Sequence, residues 1–151
     1  MDRAAVDAVF QQLSNPETGL MTYPAFLFFF VREYTQYQIT QRAFSVILAE
    51  FCISFSGGEQ NILRPLPPRA VRQLAQRIFP LTRPLDWVAH YDQTEYALLL
   101  PNTNRQTAGE LASSIVQAAA SSPLMPDMDP ALLTINLGIA TFPDDTNHPG
   151  V

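Results

Sequence analysis

Three groups of residues have chemical reach. Asp92, Gln93, Thr94, Glu95 and Tyr96 stand between two short apolar runs, so the spacing presents polar side chains at the tip of a turn. Glu50 lies inside a long apolar run, and with Glu95 it can hold one divalent ion loosely, although such acids are more often solvated or paired with arginine. Arg83 and Asp86 stand three residues apart, where a guanidinium can fork onto a phosphate or onto the neighbouring carboxylate. His90 and His148 are distant in sequence from each other and from the lone Cys52, so the three predict no metal site. Cys52, within Ile47 to Phe55, reads as a small buried hydrophobe with no partner for an internal disulfide.

The elements that must position these residues follow from periodicity. Residues 2–13 space Ala5, Val6, Val9, Phe10 and Leu13 for a lead-in helix, which Ser14, Asn15, Pro16 and Gly19 end. A second helix is predicted over 24–37, with Phe26, Phe29, Phe30 and Tyr34 near one face. The β-branched and aromatic stretch 43–55 predicts a central strand buried on both faces, followed by a loop at 56–60. Pro67 and Pro68 open a helix carrying Val71, Leu74, Ala75 and Ile78. A hairpin is expected from 86–91 and 95–100, then a helix with a capping box of Thr103 and Gln106, then a strand over 132–142 with Leu133, Ile135, Leu137 and Ile139 on one face. This order predicts an α/β sandwich in which helices flank a mainly antiparallel central sheet.

Composition narrows the partners. At 151 residues the chain makes one domain, and its 15% charged residues are fewer than the roughly 25% usual for a soluble domain, which predicts surface that a partner covers. All nine basic residues are Arg, and the net charge of −5 argues against non-specific nucleic-acid binding and an anionic membrane surface. The longest apolar stretch, Ala25 to Val31, is far short of the roughly twenty residues of a membrane span. With no signal-type opening, a cytoplasmic location is expected.

Four blocks resemble one family. His90-Tyr91-Asp92-Gln93-Thr94-Glu95-Tyr96-Ala97-Leu98-Leu99-Leu100-Pro101 resembles RYGGDEFALLLP, the signature hairpin of GGDEF domains, the diguanylate cyclases. Asn15-Pro16-Glu17-Thr18-Gly19-Leu20 resembles the family's DPLTGL, the 71–78 helix its VLRQVAQRL, and Thr134 to Ala140 its TVSIGVA strand. The resemblance implies a lead-in helix over 1–14 and a GGDEF-like domain over 15–151 that stops before the family's ADxALYxAK helix. Either a longer chain supplies that helix, or another subunit covers the sheet and the terminal strand.

The resemblance also implies what chemistry is gone. Family members condense two GTP molecules by two-metal phosphoryl transfer, using glycines that let the hairpin approach the nucleotide. Here those glycines are Asp92 and Gln93, the next acid is Thr94, and only Glu95 remains, followed by Tyr96 in place of Phe. The DxDxFK stretch falls on Ala49 to Phe55 and leaves Glu50 as the one candidate ligand. The guanine-binding NDxxGHxxGD stretch has no counterpart in 58–68. The expectation is a catalytically inactive domain with no metal and no cofactor. The family's product-binding RxxD persists at its usual offset as Arg83-Pro84-Leu85-Asp86, where Arg can hold phosphate or stack on guanine and the acid can accept from a guanine edge. Two readings stay open: an interaction or structural module that binds a protein partner or a second copy, and a cyclic di-GMP receptor using Arg83 and Asp86. Arg83 paired with Asp86 as inherited structure is the alternative to ligand binding there.

Overall fold

The computed structural model describes residues 2–57, 60–129 and 132–143. Helix α1 (Arg3–Leu13), capped by Asp2, leads into α2 (Tyr23–Thr40), where the Thr22 hydroxyl caps the first turn and Pro24 occupies a position that needs no amide donor. Strand β1 (Phe44–Gly57) is followed by β2 (Gln60–Pro65), α3 (Pro68–Ile78) and a short 3-10 turn over Phe79–Leu81. Strands β3 (Trp87–His90) and β4 (Glu95–Leu100), helix α4 (Arg105–Ala120) and strand β5 (Leu133–Phe142) complete the order.

All four strand pairings are antiparallel, as the sandwich reading expects. Strand β1 pairs with β4 over Ser45 to Glu50 and with β2 over Cys52 to Gly57, and β5 pairs with it over Phe44 to Ile53. One position of a strand has one partner per edge, so β4 and β2 follow each other along one edge of β1 and β5 occupies the other.

Alternation then divides the sheet into two faces. Ile47, Ala49, Phe51, Leu98 and Leu100 pack with Val71, Leu74 and Ile78 of α3 and Ala108, Ile115 and Ala119 of α4. Phe44, Val46, Ala97, Leu99 and Phe142 pack under Ala25, Phe26 and Tyr37 of α2. The α2 side is aromatic: Phe44 stacks on Phe142 at 4.4 Å and 8°, and Phe29 stacks on Trp87 at 4.5 Å.

Four expectations change. The loop expected at 56–60 is instead the end of β1 and the start of β2, because the antiparallel partner at 60–65 carries the ladder on; Gly58 and Glu59 lie outside the described residues. Asn104, not Thr103, caps α4 by accepting from the Thr107 amide at 2.8 Å, because the Thr103 hydroxyl is turned to the Pro101 carbonyl. The terminal strand is not unpaired, since β5 runs the full length of its ladder with β1. Leu133, Ile135, Leu137 and Ile139 pack on the core cluster that includes α3 and α4 and stay half-buried, so this chain covers that face in part. The Asp144-Asp145 turn and His148 lie outside the described residues.

Phe44 is fully buried and touches Phe30, Tyr37 and Phe142. Phe44→Ala is therefore expected to lower the unfolding free energy by about 3–5 kcal/mol, read from the urea midpoint by circular dichroism.

Candidate functional site

The signature hairpin closes through a four-residue turn. The Glu95 amide donates to the Asp92 carbonyl at 3.3 Å, and the amides of Tyr91 and Asp92 donate to the Glu95 carbonyl at 3.0 and 3.1 Å. The Asp92 carboxylate accepts from the Gln93 amide at 2.7 Å, which holds it against its own turn. No tip residue has a left-handed φ, so side chains fit the conformation where the family places glycine. The Phe51 amide donates to the Thr94 carbonyl at 3.0 Å and fastens the tip to β1.

The register puts Glu50 directly opposite Glu95 on one side and Asn136 on the other. Directly opposed side chains leave the sheet about 4.5–5.5 Å apart at Cβ, so two carboxylates and a carboxamide form one row across β4, β1 and β5. The Asn136 amide donates to a Glu50 oxygen at 3.0 Å, which offsets part of the like-charge repulsion. Cys52 follows Glu50 on the same face and is buried; burial, then the Glu50 charge, push its thiol pKa up, so it stays a neutral thiol. Among the described residues, no group of three or more His, Cys, Asp or Glu side chains can hold a metal ion.

Arg83 and Asp86 form a closed latch. Asp86 accepts from the Arg83 backbone amide at 2.8 Å, from Nη2 at 2.8 Å and from Nε at 3.2 Å, and its side chain is only 2% exposed. The same Nη2 donates to the Pro101 carbonyl at 2.6 Å and the Thr103 hydroxyl at 2.8 Å. One guanidinium thus joins the turn before β3 to the turn after β4. The hydrogen bond to Asp86 raises the Arg83 pKa further, and burial opposes it. The structure therefore brings together the two residues that the sequence paired, facing each other.

Beside the latch, a cleft of about 420 Å³ opens between α2 and the hairpin, lined by Glu33, Tyr37, Arg42, Leu85 and Trp87. Burial pushes the Glu33 carboxyl above its ordinary range, and the buried Tyr37 hydroxyl has no hydrogen-bond partner. Neither residue carried a sequence signal beyond its place on an apolar helix.

The 15–20 block packs on the hairpin. Gly19 turns with φ +78°, a conformation that favours glycine, and the Met21 and His90 amides donate to the Val88 and Met21 carbonyls. The Thr18 hydroxyl lies 2.6 Å from His90 Nε2, and Arg72 donates to the Pro16 and Glu17 carbonyls. Sequence reasoning missed both ties because they span about 70 and 55 residues.

With this geometry in place, the profile described as Diguanylate cyclase, GGDEF domain matches residues 69–150. The chain belongs to the GGDEF domain family. It is 30% identical over 83 residues to YhcK of Bacillus subtilis strain 168, an uncharacterized protein of which it spans 23%. The fold is similar to diguanylate cyclase SiaD of Pseudomonas aeruginosa, solved with its activator SiaC, at TM-score 0.69 and 17% identity over 91% of this chain and 58% of SiaD. It is also similar to the coiled coil and GGDEF domain of DgcB from Caulobacter crescentus, solved with c-di-GMP, at TM-score 0.70 and 13% identity over 92% of this chain and 74% of that one. This GGDEF domain spans little more than half of SiaD and about a quarter of YhcK. Among its described residues, no helix is long and apolar enough to cross a membrane.

Removing the acceptor of the latch takes the partner from the Arg83 backbone amide and from Nε, so Asp86→Ala is expected to cost about 1–3 kcal/mol in urea unfolding. Burial lowers the His90 pKa below 6.5, so the unfolded chain binds a proton before the folded chain does. Stability is then full above pH 6.5 and falls as pH drops below it, by at most about 1.4 kcal/mol per pH unit. Thermal melts from pH 7 to 5.5 are expected to show that slope, and His90→Gln to flatten it.

Proposed function

We propose that this GGDEF domain has no cyclase activity and works as a protein-interaction module. The observation that carries the interaction reading is helix α2, which is apolar on both sides. Its inner side packs Phe26, Phe29 and Phe30 on the hairpin and the sheet, while Phe28 and Val31 remain 62% and 60% exposed. A second apolar stripe on a helix whose first stripe is already packed marks surface that a partner covers.

Loss of catalysis is supported by the site. Glu50 and Glu95 are two carboxylates where two-metal phosphoryl transfer needs a fuller ligand set, and Cys52 is a neutral, buried thiol beside them. The hairpin tip carries Asp92 and Gln93 side chains at positions where close backbone approach to a nucleotide requires none. Incubation with GTP and magnesium is expected to yield no cyclic di-GMP above a protein-free control. Product that disappears in Glu95→Ala overturns this reading.

The receptor reading draws on the Arg83-Asp86 offset, the cleft beside it, and the c-di-GMP held by DgcB. It ranks second because Asp86 is almost fully buried and already accepts from Arg83, so a guanine edge would have to displace an internal partner. Calorimetric titration with cyclic di-GMP is expected to show no binding. Low-micromolar binding that Arg83→Ala abolishes reverses the order of the two readings.

A further inference from the structure

The outer side of α2 has a pattern that selects its occupant. Pro24, Leu27, Phe28, Val31, Tyr34, Thr35 and Gln38 recur at three- and four-residue steps on one stripe. Leu27, Phe28, Val31 and Thr35, with Arg32 and Gln36 on one flank, border a shallow groove along it. About Val31 the stripe is nearly palindromic, with Leu27 and Phe28 four and three residues before it and Tyr34 and Thr35 three and four after.

We propose that this stripe pairs with the same stripe of a second copy of this chain, antiparallel, with the two-fold axis at Val31. The proposal rests on the interaction-module reading above and names its partner. A two-fold contact is isologous, so each residue must find its complement on the same surface of the other chain. Antiparallel pairing about Val31 sets Val31 on the partner's Val31, Leu27 on the partner's Thr35 and Phe28 on the partner's Tyr34. Every central layer then contains an apolar side chain from at least one chain. Parallel pairing would set Thr35 on Thr35 and Gln38 on Gln38, leaving layers with no apolar member, and would align the two helix dipoles unfavourably.

Of the charged residues of α2, Glu33 is turned to the cleft beside Trp87, while Arg32 borders the groove on the flank away from Leu27. A guanidinium at the flank lays its stem along apolar surface and keeps its head in water. At the 150–250 Å² that an aromatic side chain can bury, covering the exposed parts of these residues removes roughly 500 Å² per chain. The pair then buries about 1,000 Å², near the smallest area of a specific interface, so a micromolar dimer is expected. Each copy carries a net charge of −5, so long-range repulsion opposes pairing and added salt relieves it.

Sedimentation of the purified chain over 1–200 µM, at low and at 0.5 M salt, tests this. The expected result is a monomer–dimer equilibrium that tightens with salt. Phe28→Glu and Val31→Glu are expected to weaken it at least tenfold, while circular dichroism shows an unchanged fold. A cysteine in Val31→Cys is expected to form an oxidised dimer under mild oxidant. One in Ile39→Cys, which lies about 24 Å along the helix from its counterpart, is not expected to do so. If Val31→Glu fails to fold, the cysteine pair decides.

A monomer throughout, a dimer indifferent to both glutamate variants, or equal cross-linking at the two cysteines overturns the self-pairing. None of these results touches the interaction-module reading, which fails separately if the GTP assay gives product or the cyclic di-GMP titration shows binding.

Discussion

Strand β1 has hydrogen-bonded neighbours along both edges and packed side chains on both faces, so both cores of the domain are built on it. On one edge β4 gives way to β2 at Cys52, and on the other β5 runs alongside from Phe44 to Ile53. Its alternate residues supply both cores: Ile47, Ala49 and Phe51 to the α3 and α4 side, Phe44 and Val46 to the α2 side. A one-residue slip would exchange the two sets and place Glu50 in a core. The register that buries Ile47 and Phe51 is therefore the register that sets Glu50 opposite Glu95.

That coupling explains why the candidate site is orderly although its residues depart from the family's. The hairpin is held by its ladder, by the tie from Phe51 to Thr94 and by the packing of the 15–20 block, and none of these uses the signature side chains at the tip. Substitution at 92–94 changes what the tip can touch without removing what places it. The Arg83 latch has the opposite character. Its Nη2 donates to Asp86, Pro101 and Thr103, so a motif whose residue types suit an external nucleotide serves as an internal clasp between two turns. Arg77 plays a similar part at the end of α4, donating to the Ala118 and Ala119 carbonyls of its last turn and to the Ser122 and Pro123 carbonyls just beyond it.

The surface follows from the same distribution of apolar residues. Helices α3 and α4 bury one stripe each and expose polar residues, as amphipathic helices do when their own domain satisfies them. Helix α2 packs rings on its inner side and presents Phe28 and Val31 to solvent on its outer side. Among the described residues nothing else accounts for an outer stripe of that kind, and the low charge content of the whole chain agrees with a surface adapted to being covered.

Periodicity in the sequence alone determined the helices, the central strand, the hairpin and the inward face of β5. These depend on residues a few positions apart, whose spacing sorts them by face whatever the rest of the chain does. The four motif blocks likewise marked the family before any coordinates. Tertiary structure alone decided the contacts between distant segments: β2 as a continuation of the β1 ladder, Asn104 in place of Thr103 as the cap of α4, the His90–Thr18 contact, and the row of Glu95, Glu50 and Asn136. It also decided that Arg83 is paired within the chain, while about half of its side chain stays exposed. A guanidinium is chemically equal to a phosphate, a guanine or a carboxylate, and only the placement of Asp86 and the Pro101 carbonyl within hydrogen-bond reach selects among them.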